Sequence, residues 1–365
     1  MGALLSFLPS WAMRLDNWLS ACSGESLMLP DSAYLTFTPD LRICRLLNGL
    51  WQLSGAHGYI EPNRALAEMP HYHDSGFTTW DLADHYGPAE DFIGSFRAWL
   101  RAQRGEAALA QMQAFTKWVP RPSPMTRPIV EAAIDRSRSR MQTDQLDLLQ
   151  FHWWEYRDKR YLDALKHLAD LREAGKLRYL ALTNFDTQHL ARILESGVQI
   201  VSNQVQYSII DRRPEVQMSA FCAAHNVWLL TYGTLCGGLL TDRYLDAQEP
   251  SPAQLTTASL RKYKQMIDAW GGWALFQALL RELRAIADKH KVSIANVAVR
   301  YVLEKPAVAG VIIGARLGIA EHRAESARCF SFALDSEDRA RIEAISAQGR
   351  DLFRLIGDCG DEYRR

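Results

Sequence analysis

A closed (β/α)8 barrel, the TIM barrel, is the fold class this sequence predicts, on three observations. Short β-rich runs alternate with amphipathic helical stretches from about residue 41 to residue 347, an alternation that implies a parallel sheet. Eight such strands can be counted, and no Gly-x-Gly-x-x-Gly follows the first of them, so a closed barrel is favoured over a doubly wound sheet. Polar residues of catalytic type stand at successive strand ends, which a barrel gathers on one face.

The elements follow in order. The run 43–47, closed by Asn48-Gly49, is the first strand, and 63–72 is its helix. The run ending at Trp80 reads as the second strand because it is β-rich and bounded by Gly76; Gly87-Pro88 stops the polar segment after it, before an amphipathic stretch at 89–103. Strand three at 113–119 and a helix at 127–140 flank the loop Pro120-Arg121-Pro122-Ser123-Pro124. Strands at 147–153, 177–183, 200–205 and 227–232 alternate with helices at 161–174, 187–195 and 215–225, two of which stop at Gly175 and Gly197. A long insertion, 242–272, precedes helices at 273–290 and 292–304 and the eighth strand at 308–313; helices at 321–328 and 336–347 complete the shell. The division is an amino-terminal extension at 1–40, the barrel at 41–348, and a tail at 349–365 that has no place in the barrel and is expected over its mouth.

Forty-two basic and forty-two acidic residues balance, so no overall field draws nucleic acid or an anionic membrane. The hydrophobic share of 48% is ample for one large core. Six scattered cysteines form no Cys-x-x-Cys pair and read as reduced thiols, which with the absence of a convincing leader points to the cytoplasm. His71-Tyr72-His73-Asp74 lacks the further ligands a metal needs, and no metal is expected. Met1-Gly2-Ala3-Leu4-Leu5-Ser6 fits the loose myristoylation pattern, but no polybasic second signal follows. A membrane partner is not expected, and no apolar run reaches membrane-spanning length.

The strand ends carry Asp81 and Tyr86, Lys117, His152, Asn184, Gln204, Tyr232 and Gly314-Ala315-Arg316. A lone lysine there is commonly a snorkelling surface group and a lone histidine a satisfied core residue; neither explains the set at matching positions. Asp81-x-Ala83-x-x-Tyr86-Gly87, Phe115-Thr116-Lys117-Trp118 and Asp147-Leu148-Leu149-Gln150-Phe151-His152-Trp153 resemble the motifs of the aldo-keto reductase family, over roughly residues 43–347. The resemblance implies a (β/α)8 carbonyl reductase using NADPH, with Asp81, Tyr86, Lys117 and His152 as its catalytic tetrad. It also implies that Asn184 and Gln204 meet the nicotinamide end, that Tyr232 stacks on its ring, and that Gly314, Arg316 and Glu325 bind the phosphate-bearing adenine end. Three departures stand out. Leu82 follows Asp81 where the family has a small hydroxylated residue, Gly233-Thr234-Leu235 replaces Ser-Pro-Leu, and Ser326 replaces the closing Asn.

The residue types suit the chemistry. Reducing a carbonyl needs a hydride donor held against carbon and a proton donor at oxygen. A phenol titrates near pH 10, and a neighbouring cation favours its ionised form; Lys117 is expected to supply that charge, held by Asp81, with His152 donating to the substrate oxygen. Trp51, Trp118 and Trp153 are expected to wall an apolar pocket for an aldehyde or ketone. A rival reading keeps the same barrel as a weakly active NADPH-binding regulatory subunit of a membrane protein. A carboxylate hydrolase using Asp81, Asp84 and Glu90 leaves Lys117 and Tyr86 unexplained.

Overall fold

The computed structural model describes residues 27–364. The acylation pattern and most of the extension expected at 1–40 lie outside them. Eight parallel strands close a barrel in chain order: β3 (Leu46–Gly49), β4 (Thr79–Asp81), β5 (Gln113–Trp118), β6 (Leu146–Phe151), β7 (Leu177–Thr183), β8 (Ser202–Gln206), β9 (Trp228–Tyr232) and β10 (Val308–Gly314). Val311 sits opposite Leu46 and Gly314 opposite Gly49, which joins the last strand to the first.

The first barrel strand is not the run 43–47. The chain instead makes an antiparallel hairpin of β1 (Tyr34–Thr38) and β2 (Leu41–Cys44) and turns into β3 at Arg45. The guanidinium of Arg45 donates to the carbonyls of Leu303, Val308 and Ala309, which fixes that turn. Phe37, Leu41 and Ile43 of the hairpin pack against Leu47, Phe115, Leu148, Ala181, Leu230 and Ala309 and seal the amino-terminal end of the barrel. The flanking apolar residues hide such a turn, because both halves of the run are buried, and Arg45 between them is its one polar sign.

Helices α1 (Pro62–Asp74), α2 (Ala89–Arg104), α3 (Glu106–Leu109), α4 (Arg127–Arg140), α5 (Tyr161–Glu173), α6 (Thr187–Glu195) and α7 (Met218–Ala224) follow the strands in turn. The insertion at 242–272 is partly helical: α8 (Ala258–Trp270) starts at Thr257, whose hydroxyl accepts from the Leu260 amide at 3.1 Å. After it come α9 (Gly272–His290), α10 (Ile294–Leu303), α11 (Arg323–Ala327), α12 (Ser336–Ser346) and a short tail helix, α13 (Leu352–Ile356). Among the described residues no helix is long and apolar enough to cross a membrane.

Because strand side chains alternate, the inward positions form layers. Phe115, Leu148, Ala181 and Leu230 make an apolar lower layer over the hairpin. Two residues on, Lys117, Gln150, Thr183 and Tyr232 carry the polarity upward, and His152 stands two beyond Gln150. The barrel is therefore dry at one end and chemical at the other.

Candidate active site

At the carboxyl-terminal end of the barrel the ammonium of Lys117 donates to Asp81 Oδ1 at 2.6 Å and to the Leu82 carbonyl at 2.9 Å. Both side chains of the pair are about 5% exposed or less. The other carboxylate oxygen of Asp81 accepts from Gln150 Nε2 at 2.9 Å and Gln204 Nε2 at 2.7 Å, and Gln204 also donates to Gln150 Oε1 at 2.7 Å. Burial pushes the Lys117 pKa down and the Asp81 charge opposes it. A buried ion pair survives such desolvation only when its remaining lone pairs are satisfied, and here two amides satisfy them. Gln150 went unremarked in the sequence, although it lies two residues before His152 on the same inward face.

Tyr86 sits in the loop after β4, its ring centroid 5.2 Å from the Lys117 ammonium. Arg140, at the end of α4, grips that loop from outside: it donates to the carbonyls of Asp84 at 3.0 Å and Gly87 at 2.6 Å while pairing with Glu90 and Asp91. The Tyr86 hydroxyl makes no hydrogen bond among the described residues. The expected lowering of its pKa is not found. Burial pushes the phenol well above its ordinary value, Asp81, Tyr363 and Asp84 push it further, and the Lys117 charge is committed to Asp81. As folded, Tyr86 holds its proton.

His152 is buried, and its Nδ1 lies 3.2 Å from the Thr183 carbonyl. A carbonyl only accepts, so Nδ1 carries the hydrogen. Burial, then repulsion from Arg364, pulls the imidazole pKa down to about 4, so the ring is neutral at pH 7 and Nε2 is an acceptor. That nitrogen is buried without a partner. The expectation that His152 donates to the substrate oxygen is thereby corrected: in this arrangement it receives a hydrogen bond.

The aromatic wall differs from the expected one. Trp51 is at the mouth, its ring 6.5 Å from that of Tyr86. Trp118 and Trp153 instead pack in the shell between strands and helices; the Trp153 indole donates to the Glu155 and Asp158 carbonyls. Alternation is the reason: neighbours of the inward Lys117 and His152 must point outward. Trp154, one step further and back on the His152 side, meets that imidazole edge-on at 4.4 Å and is 42% exposed.

Asn184, in a left-handed conformation at φ 59°, accepts from the Tyr232 hydroxyl at 2.8 Å. At the end of β10, Gly314 faces Gln52, whose Nε2 would lie 1.9 Å from any Cβ added there. The Arg316 guanidinium is exposed and makes no hydrogen bond or ion pair among the described residues. Arg323, further along the chain, donates to the His71 carbonyl and Ser75 at the end of α1. Glu325 is held by Asn296 at 2.7 Å and lies 3.7 Å from Arg328.

The tail packs against the loops at the strand ends. Asp358 accepts from the Thr187 amide at the start of α6, and Glu362 pairs at 2.8 Å with Arg213, which is 1% exposed and also bound to Asp211. Arg364 stacks 3.9 Å over the Tyr156 ring and donates to the Trp153 carbonyl. These anchors set Tyr363 between the two halves of the site. Its hydroxyl is 3.1 Å from that of Tyr232, and its ring stands edge-on to His152 at 6.2 Å.

Closed parallel barrels keep their chemistry at this end of the strands, and comparison with known proteins identifies which barrel this is. The sequence pattern of the Aldo/keto reductase family matches residues 45–347, and the chain belongs to that family. Its members are oxidoreductases acting on carbonyl and alcohol groups with nicotinamide cofactors, generally NADP(H). Flagellar radial spoke protein 5 of Chlamydomonas reinhardtii is 27% identical over 258 residues, 61% of this chain and 49% of that protein, so the chain spans about half of its length. L-glyceraldehyde 3-phosphate reductase of Escherichia coli (strain K12) is 24% identical over 345 residues, 87% of this chain and 93% of the enzyme. The solved glycerol dehydrogenase of Gluconobacter oxydans shares the fold at a TM-score of 0.68 and 22% identity, over 92% of this chain and 98% of that one.

Proposed function

We propose that the chain is an NADPH-dependent reductase of a small aldehyde or ketone, with Tyr86 as proton donor. One observation carries the reading: an unpartnered phenol hydroxyl and an unpartnered buried imidazole nitrogen stand at the same mouth, above a buried lysine–carboxylate pair. A buried imidazole nitrogen without a partner is uncommon in a folded protein, and beside a free phenol hydroxyl it suits an oxygen that accepts from the phenol as a carbonyl and donates to the imidazole as an alcohol.

The residues fit a nicotinamide dinucleotide. Arg316 offers a planar fork without a competing carboxylate, Tyr232 offers a ring face, and Asn184 and Gln204 offer amides at its edge. Glu325 is less suited, being engaged by Asn296. Bound there, the cofactor supplies the hydride. The Tyr86 hydroxyl donates to the carbonyl oxygen and gives up its proton as charge develops. Lys117, 5.2 Å from the ring, then faces a phenolate, and His152 Nε2 accepts from the new alcohol hydroxyl. Trp51 and Trp154 bound the apolar side of the pocket.

Steady-state oxidation of NADPH with a panel of aldehydes, nitrobenzaldehyde among them, tests the reading. Turnover is expected, whereas tight binding without turnover would mean a regulatory subunit. Arg316→Ala should lower NADPH affinity about ten- to a hundredfold, the worth of a charged hydrogen bond, while NADH affinity barely moves. Equal losses for both cofactors would place the 2′-phosphate elsewhere. Lys117→Met should move the basic limb of the alcohol-oxidation pH profile upward, since removing a cation and leaving Asp81 uncompensated both disfavour the phenolate. A profile scaled down at unmoved apparent pKa would make Lys117 a positioning residue only.

A further inference from the structure

The strap formed by α8 carries a cation that the strand-end residues do not explain. Lys262 projects over the mouth and donates to the Tyr363 hydroxyl at 2.6 Å. Its ammonium lies 4.6 Å from the ring centre of Tyr363, 5.2 Å from that of Tyr232 and 5.4 Å from that of Tyr263. No carboxylate among the described residues forms an ion pair with it, and nearby Glu362 is taken by Arg213. A half-buried ammonium normally finds a counter-ion; this one has three phenols, with the Glu362 charge, shared with Arg213, felt at longer range.

Its setting is rigid. Ser259 and His57 are 2.9 Å apart and tie α8 to the loop after β3, and Tyr263 lies so close over Gly233 that a Cβ there would be 2.3 Å from its hydroxyl. Beneath it, the loop after β9 has no side chain to offer an anion: Gly233 has none, and the Thr234 hydroxyl donates inward to the Tyr207 carbonyl. The cation is therefore supplied from above that loop. In the dinucleotide the charged group nearest the nicotinamide is the diphosphate, so a cation at the rim of the Tyr232 platform lies where that charge would fall.

We propose that Lys262 binds the diphosphate of the nicotinamide dinucleotide, and that Tyr363 is the internal occupant it releases to do so. The proposal rests on the cofactor reading above and adds an exchange to it. Tyr363 stands between Tyr232 and His152, the span across which a stacked nicotinamide and a carbonyl must meet. Gly360, at φ 90°, brings the tail backbone against Asn184, a Cβ there falling 2.0 Å from its carbonyl oxygen. The tail as folded and the seated cofactor thus compete for one place. Glu362 and Asp358 keep their anchors on Arg213 and α6 while the Tyr363 side chain swings out, so the exchange needs no unfolding of the tail. Cofactor affinity is then reduced by the fraction of molecules with the site occupied from within.

The test is a fluorescence titration of the full chain with NADPH, repeated on Lys262→Met, Tyr363→Ala and Tyr363→Phe. Lys262→Met is expected to weaken NADPH about tenfold or more and to leave adenosine 2′-monophosphate, which lacks the diphosphate, unaffected. Tyr363→Ala is expected to tighten NADPH several-fold, and Tyr363→Phe, which keeps the ring but frees the lysine, less so. Hydrogen exchange in residues 358–362 should stay unchanged when NADPH is added to wild type, since Glu362 and Asp358 keep their anchors. Unchanged affinity in Lys262→Met overturns the assignment, and weaker binding in Tyr363→Ala makes the tyrosine a wall of the site instead of its occupant. Wild type and variants all failing to bind NADPH would instead remove the cofactor reading itself.

Discussion

Tyr86→Phe lowers kcat for an aldehyde on the order of a hundredfold or more, with NADPH affinity close to that of wild type. The hydroxyl is neutral and makes no hydrogen bond among the described residues, whereas the Tyr232 phenol donates to Asn184 and lies 3.1 Å from that of Tyr363. Lys117 is bound to Asp81, and His152 presents a lone pair. Burial keeps the phenol protonated through neutral pH, so reduction should run on a flat profile there and lose nothing until the phenol itself ionises. An undiminished kcat in the variant would remove Tyr86 from the chemistry. A loss confined to KM would make it a binding group.

Asp81→Ala should be the most damaging single change to stability at the site. It leaves the Lys117 ammonium, 4% exposed, facing a cavity, and strips the acceptor from Gln150 and Gln204 together. Removing one member of a buried pair costs about 3–5 kcal/mol because the survivor stays charged and unpaired. The double variant Asp81→Ala/Lys117→Met should recover a good part of that loss, since no lone charge remains. Chemical denaturation of the three variants against wild type measures this. Additive losses would mean that the two residues are not a unit, and a single-variant loss under about 1 kcal/mol would mean that water reaches the lysine.

The strand ends were legible because strand and helix periods differ and because β7, α4 and α6 are bounded by sharp turn or cap residues; their ends match the expected ones. The hairpin β1–β2 was not, since antiparallel and parallel partners bury the same residue types. Trp153 was assigned to the pocket on nearness in sequence to His152, yet period-2 alternation, applied to the end of β6, would have chosen Trp154. Gln150 was open to the same rule. Lys262 and Tyr363 carry no local signal at all: 101 residues separate them, and only the closure of the barrel and the return of the tail bring them together. The phenol's raised pKa is partly of the same class, for its largest cause is burial in the folded barrel, to which Asp81, Tyr363 and Asp84 add.

The described chain begins at the sealed end of the barrel, where the Leu29 amide meets the Ser75 carbonyl below α1, and runs out at Arg364 against Trp153 on the open end. The two termini of the described chain are thus on opposite poles, and they are not equivalent places to attach anything. A purification handle or fused fluorophore joined directly to Arg364 would start against Trp153, near Tyr363 and His152, where it would perturb the very titrations described above. The same addition joined directly to Leu27 would start at the sealed pole and leave the open pole facing solution, so on a sensor surface that end of the described chain is the one to tether.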